Sequence, residues 1–244
     1  MRSKAMDAAS KDDCGAGATG REPVSDTIRA ALVVSERGLV VRNIPAPLSP
    51  NDDEVQVRIR AVALNHIDVW GWRGMAFAKR TLPIVSGAEA AGEVIAVGKS
   101  VTTHAPGDIV SLYGAMTCGT CPACLEGRDN FCERMDSIYG FHIDGFLREK
   151  MNIPARLAVR APAGIDCRSA SLAPITFGTV EHMLFDNAEL KSGQTVLVHA
   201  GGSGIGSAAI QLAKAAGANV ITTVGTDDKA EKARALGADH VINY

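Results

Sequence analysis

From residue 27 onward the chain is written in short runs of apolar residues or of alternating apolar and polar residues. IRAALVV, LVVRNI, EVQVRIRAVAL, AAGEVIAVG and DIVSLYG are separated by Gly, Pro and Asn-Asp, the pattern of β-strands joined by turns. This predicts a compact barrel-like β domain over residues 27–165. After Asp166 the pattern changes. The helical runs RSASLAPITFGTVEHMLFDNA, GIGSAAIQLAKAAGA and KAEKARALGA alternate with the short apolar strands TVLVHA, NVITTVG and HVINY. Alternation of this kind with short loops predicts a parallel sheet of doubly wound α/β type over residues 166–244, so the fold class is α/β plus β. Residues 1–26 mix Gly, Ala, Ser and charges without a hydrophobic period and are expected to be a disordered tail.

Composition narrows the setting. The 244 residues are 46% hydrophobic and 21% charged with a formal net charge of −2, as in an ordinary soluble globular protein. Without a long Lys/Arg run, neither nucleic acid nor anionic lipid is an expected partner. No stretch reaches the roughly 18 uninterrupted apolar residues of a membrane span, and the N-terminus lacks the apolar core of a secretory signal. A cytoplasmic location is expected. Of six cysteines, four crowd between Cys118 and Cys132, which points to a metal framework in a reducing compartment. Cys14 sits in the polar tail, and Cys167 reads as a small residue at a helix start.

The first α/β crossover carries candidate chemistry. Gly201, Gly202, Ser203, Gly204, Ile205 and Gly206 lie between the strand TVLVHA and an amphipathic helix, the context of a dinucleotide phosphate-binding turn. Glycines admit the pyrophosphate to the backbone, and the helix N-terminus offers free N–H groups and partial positive charge. Ser203 stands at the third position of the fingerprint in place of a glycine. About 20 residues further on, an acid ending the second strand would accept the ribose hydroxyls of NAD. Gly225 and Thr226 stand there instead, and Asp227 and Asp228 fall in the first turn of the next helix. With Lys229 following, a small residue, a hydroxyl and a lysine suit a 2′-phosphate, which favours NADPH over NADH.

Cys118, Cys121, Cys124 and Cys132 follow a Cys-x2-Cys-x2-Cys-x7-Cys spacing in a loop rich in Gly, Thr and Pro, taken as a lobe over residues 116–134. Four thiolates suit a closed tetrahedral zinc site. The rival is an iron-sulfur cluster, whose bacterial form uses a tighter last gap followed by proline; here the gap is seven and Glu133 follows. A site filled by four sulfurs has no open position for substrate, so its expected role is structural.

A β domain with this cysteine lobe, followed by such a nucleotide fold, resembles the medium-chain dehydrogenase/reductase superfamily from Ile28 to Tyr244. The resemblance implies a GroES-like barrel and a substrate cleft between the two domains. Zinc-type alcohol dehydrogenases of that superfamily carry a catalytic zinc held by Cys, His and Cys. At the matching positions this chain has Asn65, Ala88 and Thr176, a poor donor set for zinc. His66, beside Asn65, reads as a structural histidine. The quinone oxidoreductase-like branch is closer, since Asn65-His66-Ile67-Asp68 and Thr176-Phe177-Gly178-Thr179 match its patterns. By that resemblance Asn65 and Thr176 are the candidate catalytic residues, and Thr179, Lys229 and Tyr244 join the cofactor-binding set. Trp70 stands where several members of that branch have Tyr, which removes one phenol as a proton source.

The function expected from these readings is NADPH-dependent hydride transfer, without catalytic zinc, to a quinone or to a C=C conjugated with a carbonyl. The alternatives are an enoyl-thioester reductase, a zinc-type alcohol dehydrogenase relative, and a non-catalytic truncated chain. A six-stranded dinucleotide fold has two halves, and the sequence ends after the third strand, Asp239–Asn243. It is therefore expected to be a fragment of a longer reductase; the resemblance allows a homodimer in the full-length form, since many relatives dimerise through the nucleotide-domain sheet.

Overall fold

The computed structural model describes residues 26–74, 80–135 and 137–244. The expected tail, except Asp26, lies outside the described residues, and so does Cys14.

Two antiparallel sheets build the first half. Strands β1 (Thr27–Ser35) and β2 (Gly38–Pro45) form a hairpin, followed by β3 (Glu54–Ala63), helix α1 (His66–Trp72), β4 (Ile84–Val85), β5 (Glu89–Val97) and β6 (Ile109–Leu112). After the cysteine lobe, with its short helix α2 (Pro122–Leu125), come β7 (Lys150–Pro154) and β8 (Ala158–Arg160). The strand orders are β2-β1-β4 and β7-β3-β5-β6-β8. The sheets meet where Ala31 donates to the Leu147 carbonyl (2.9 Å) and accepts from Ser86 N–H (3.0 Å).

Alternation explains β3, in which Val55 and Val57 are fully buried while Gln56 between them and Arg58 after them are not. The valines join Val94, Val110, Leu112, Phe146, Met151 and Ile153 in one core. Each large side chain buried there contributes about 1.5–3 kcal/mol. Strand β5 breaks the alternation and buries Ala90 and Ala91 in succession. Its second face is covered because Ala91 packs on Cys167 and Ala170 of helix α3 (Cys167–Ala170). Cys167 thus begins a helix, as expected.

The expected long helix over 168–188 is instead a run of short pieces. Helices α3 and α4 (Gly178–Glu181) alternate with wider π-type turns at Ala173–Phe177 and His182–Asn187. Pro174 has no N–H to continue the α-helical ladder. Phe177 donates to the Leu172 carbonyl five residues back (3.0 Å), so the N–H groups of Ile175 and Thr176 are released for another acceptor.

The second half contains β9 (Thr195–Val198), α5 (Gly204–Ala215), β10 (Asn219–Val224), α6 (Asp227–Ala235) and β11 (His240–Asn243). The last strand starts one residue later than expected. The sheet is parallel with order β11-β10-β9, as predicted. Helix α5 buries Gly206, Ala209, Ile210 and Ala213 at three-to-four-residue spacing, against Val198, Val220 and Val224. Strand β11 is one edge of this sheet. The opposite edge is β9, where Leu197 is 52% exposed.

Candidate active site

Asn65 sits where β3 ends and α1 begins. Its backbone N–H donates to Asp68 Oδ2 (2.8 Å), a side chain reaching back over the helix start. Asp68 also accepts from Gly87 N–H (3.2 Å). The Asn-x-x-Asp pattern is therefore a cap that fixes the position of Asn65. Burial pushes the Asp68 carboxyl above its ordinary value, against the pull of the backbone donors at Asn65, Gly87 and Ala88; nearby Glu89 adds a further upward push.

Asn65 and Thr176, 111 residues apart, meet with Thr176 Oγ1 3.4 Å from Asn65 Oδ1. Glu89, absent from the sequence-derived site, brings them together. It is fully buried. Its Oε1 accepts from the N–H groups of Ile175 (2.7 Å) and Thr176 (2.9 Å), the two donors released by the π-type turn. Its Oε2 accepts from Asn65 Nδ2 (2.8 Å) and Thr176 Oγ1 (3.2 Å). A signal for this was present: an acid opening a strand of small buried residues, EAAGEVIAV, must find donors within the core.

Asn65 and Thr176 face a cleft of about 600 Å³ between the barrel and α5. Apolar walls come from Leu64, Pro162, Ile165, Leu172 and Phe177, and the polar lining is Asn65, Ser111, Ser169, Thr176, Ser207 and Gln211. None of the lining residues carries an ionisable side chain. His66 is exposed and its ring lies 6.0 Å from that of Trp70, itself 40% exposed. Neither residue lines the cleft.

The glycine-rich turn adjoins this cleft, for a Cβ built on Gly204 would lie 4.0 Å from Thr176 Cγ2. Ser203 caps α5, its side chain accepting from Gly206 N–H (3.0 Å). The serine at this position therefore has a local role, as the cap of α5. Gly206 lets the helix approach the strand, since a Cβ there would meet the Ala200 carbonyl oxygen at 2.2 Å. Gly201 is buried, whereas Gly202, Ser203, Gly204 and Ile205 are exposed. Such an exposed turn at a helix N-terminus fits a pyrophosphate.

Gly225 and Thr226 follow β10, and Thr226 caps α6 by accepting from Lys229 N–H (3.4 Å). Asp227 and Asp228 occupy the first turn of α6, as expected. They are engaged with Asn243 (2.7 Å) and Lys232 (2.9 Å). Tyr244 lies beyond the end of β11, next to the end of β10, and is 82% exposed. Thr179 is exposed on α4 and does not line the cleft.

In the cysteine lobe, Cys121 opens α2 and Cys132 follows a short turn at Asp129–Phe131. The four sulfurs lie within 4.8 Å of one another, with Cys118 and Cys124 Sγ 3.9 Å apart. A tetrahedron with metal-sulfur bonds of about 2.3 Å has edges of about 3.8 Å, so the cluster fits zinc. N–H groups of Thr120 and Cys121 point at Cys118 Sγ (3.4 and 3.3 Å). The Thr120 N–H foremost holds the Cys118 thiol down to about 5. Desolvation pushes Cys124 up to about 12, a cost that a bound cation reverses.

A barrel joined to a glycine-rich α/β unit, with a cleft between them and a four-cysteine lobe at the side, defines a GroES-like domain followed by the start of a Rossmann-type fold. The profile of the alcohol dehydrogenase GroES-like domain matches residues 51–163, and that of the zinc-binding dehydrogenases matches residues 204–244. The chain belongs to the medium-chain dehydrogenase/reductase superfamily. It is 35% identical to an acryloyl-coenzyme A reductase of Metallosphaera sedula, over 87% of this chain and 63% of the relative. It is 34% identical to an alcohol dehydrogenase of Geobacillus stearothermophilus, over 88% and 64%. A crystal structure described as an NAD-dependent alcohol dehydrogenase matches with a TM-score of 0.83 and 42% identity, over 88% of this chain and 63% of that one. The chain thus spans less than two thirds of the length of these relatives. Among the described residues, no helix is long and apolar enough to cross a membrane.

Proposed function

We propose that this protein takes part in NADPH-dependent reduction of a quinone or of an α,β-unsaturated carbonyl compound, with one structural zinc in the cysteine lobe and no metal in the cleft. One observation carries this reading: Asn65 and Thr176 line the cleft beside the glycine-rich turn, at positions whose amide and hydroxyl are poor zinc ligands. Ala88, at the third such position, is a buried methyl. When bound, NADPH supplies a hydride, and without a Lewis acid the acceptor must already be electrophilic. Asn65 then orients the acceptor and its amide N–H stabilises the oxyanion that develops. Ser203 and the turn around it hold the pyrophosphate. Lys229 and Thr226 flank the position of a 2′-phosphate, and no acid ends β10 to claim the ribose hydroxyls.

A second reading, reduction of an enoyl thioester, is favoured by the name of the Metallosphaera sedula relative and shares the chemistry. The uncharged cleft lining supports the neutral acceptor, because a phosphate-bearing thioester calls for cationic contacts.

The test is NADPH oxidation by the zinc-loaded protein with a water-soluble quinone, a cyclic enone or an enoyl thioester as acceptor, beside alcohol oxidation with NADP+. Reduction of quinone or enone is expected. A thioester preference of tenfold or more establishes the second reading. Alcohol oxidation that rises with a second zinc per chain overturns the metal-free reading.

A further inference from the structure

We infer that Glu89 is the positioning residue of this site, a carboxylate saturated by protein donors that decides which way Asn65 presents its amide. The inference rests on the proposed hydride transfer for its kinetic consequence but not for its geometry.

A carboxylate offers about four acceptor sites on two oxygens, and Glu89 receives four donors. Two of these, the N–H groups of Ile175 and Thr176, can only donate, so Oε1 is committed to holding the π-type turn. Oε2 is shared by the Asn65 amide and the Thr176 hydroxyl. Taking a proton from substrate or binding a cation would break one of these contacts, so Glu89 is neither a base nor a ligand in this arrangement. Among the described residues no cation stands within ion-pair distance of it. A buried carboxylate without a cation is costly unless donors surround it, and a strand of small apolar residues does not need one.

The consequence falls on Asn65. Because an accepting oxygen faces it, the amide must turn Nδ2 toward Glu89 and Oδ1 toward Thr176. One N–H of Nδ2 is spent on Glu89. The other is the donor left for an oxygen bound in the cleft. The single Thr176 hydroxyl proton has two protein acceptors within reach, Glu89 Oε2 at 3.2 Å and Asn65 Oδ1 at 3.4 Å. Glu89 thus sets the polarity of the Asn65 amide from below without touching the acceptor.

The experiment combines kinetics with a readout independent of turnover. Glu89→Gln keeps the shape but replaces one acceptor by a donor. Its Nε2 must avoid the two backbone N–H groups, and so it faces Asn65 and reverses that amide. Expected are NADPH affinity and KM within about twofold of wild type and a kcat lower by on the order of a hundredfold. Asn65→Ala added to Glu89→Gln should cost little more, because the second change removes a group already misdirected. Independently, the Asn65 side-chain amide protons are identified by NMR as the pair missing from Asn65→Ala. In the wild type one of the two should be shifted downfield and protected from exchange, and this asymmetry should vanish in Glu89→Gln. Wild-type kcat in Glu89→Gln, multiplicative losses in the double variant, or a wild-type Asn65 pair with two solvent-like protons would overturn the inference. If Glu89→Gln fails to fold, the wild-type spectrum still decides. If the wild type reduces neither quinone nor enone, the functional reading fails while the amide spectrum tests Glu89 separately.

Discussion

A Cβ placed on Gly202 would lie 2.9 Å from Cδ of Lys229, so the stem of this lysine lies directly over the glycine-rich turn. The proposed 2′-phosphate contact and the pyrophosphate loop therefore share one piece of space. Gly202→Ala should push a flexible side chain aside and leave the backbone in place. NADPH affinity is expected to fall by about tenfold, or roughly 1.4 kcal/mol, with little change in Tm. Lys229→Ala should weaken NADPH to a similar degree and leave NADH within about twofold. Fluorescence titration with both nucleotides checks this, and equal losses for NADPH and NADH would sink the assignment of Lys229.

Gly206 presents the opposite case. Its missing Cβ would meet the Ala200 carbonyl oxygen at 2.2 Å and Gly201 Cα at 2.9 Å, both of them backbone. Gly206→Ala must therefore move α5 off the sheet, at about 1–3 kcal/mol of overpacking. A Tm lower by several degrees and loss of both nucleotides together are expected in thermal unfolding and titration. Selective loss of one nucleotide would mean that Gly206 serves specificity and not packing.

These contrasts show what was legible in the sequence. The glycine turn, the β3 alternation and the cysteine spacing are short-range patterns, readable because each declares its geometry within a few residues. The π-type turn at Ala173–Phe177 is legible only in part, since Pro174 marks the break locally while Glu89, which accepts the freed Ile175 N–H, lies 86 residues away. Helix α1 was missed for a related reason. Its sequence, HIDVWGW, is rich in β-branched and aromatic residues of modest helix propensity, and Asp68 capping the Asn65 N–H holds its start. Asn65 and Thr176 were found through the resemblance alone, and only the fold reveals that one carboxylate joins them.

Asn65→Ala removes the donor proposed for the acceptor but not the proposed nucleotide contacts at the N-termini of α5 and α6. It should lower kcat by on the order of a hundredfold and leave NADPH affinity within about twofold. Thr176→Val keeps the backbone N–H donated to Glu89 (2.9 Å) and loses only the hydroxyl, so a smaller decrease of about tenfold is expected. Steady-state kinetics beside direct binding separates the two effects. Turnover unchanged in Asn65→Ala would remove this residue from the chemistry.

The cysteine lobe should hold one zinc per chain, measured by elemental analysis of protein purified without chelator. Cys121 is the buried member of the four, and Cys121→Ser should release the metal. Cleavage by a protease within residues 118–132 should then speed up by roughly tenfold or more as the lobe opens locally. Nucleotide affinity should change little, because the lobe contributes nothing to the glycine-rich turn. An iron-sulfur chromophore in the purified protein would contradict the zinc assignment.

Acid should loosen the nucleotide unit through Asp239. Its carboxylate accepts from Lys214 Nζ at 2.8 and 3.0 Å and from Val220 N–H at 2.7 Å, tying the last turn of α5 to the sheet. The Lys214 contact foremost, then the backbone donor, holds the carboxyl below its ordinary value of 3.8. A carboxyl depressed in the folded state binds fewer protons there than in the unfolded chain. Its contribution is therefore complete above pH 3.8 and disappears as pH falls through the lower folded value. Asp239→Asn retains an acceptor for Val220 and loses the charge. Its Tm should lie below that of wild type by about two degrees at neutral pH, and the gap should hold to about pH 5 and close below pH 3.8. High salt should narrow the gap as well, because both side chains are about one third exposed. A gap that persists at the acid end would show that Asp239 acts through its shape and not its charge.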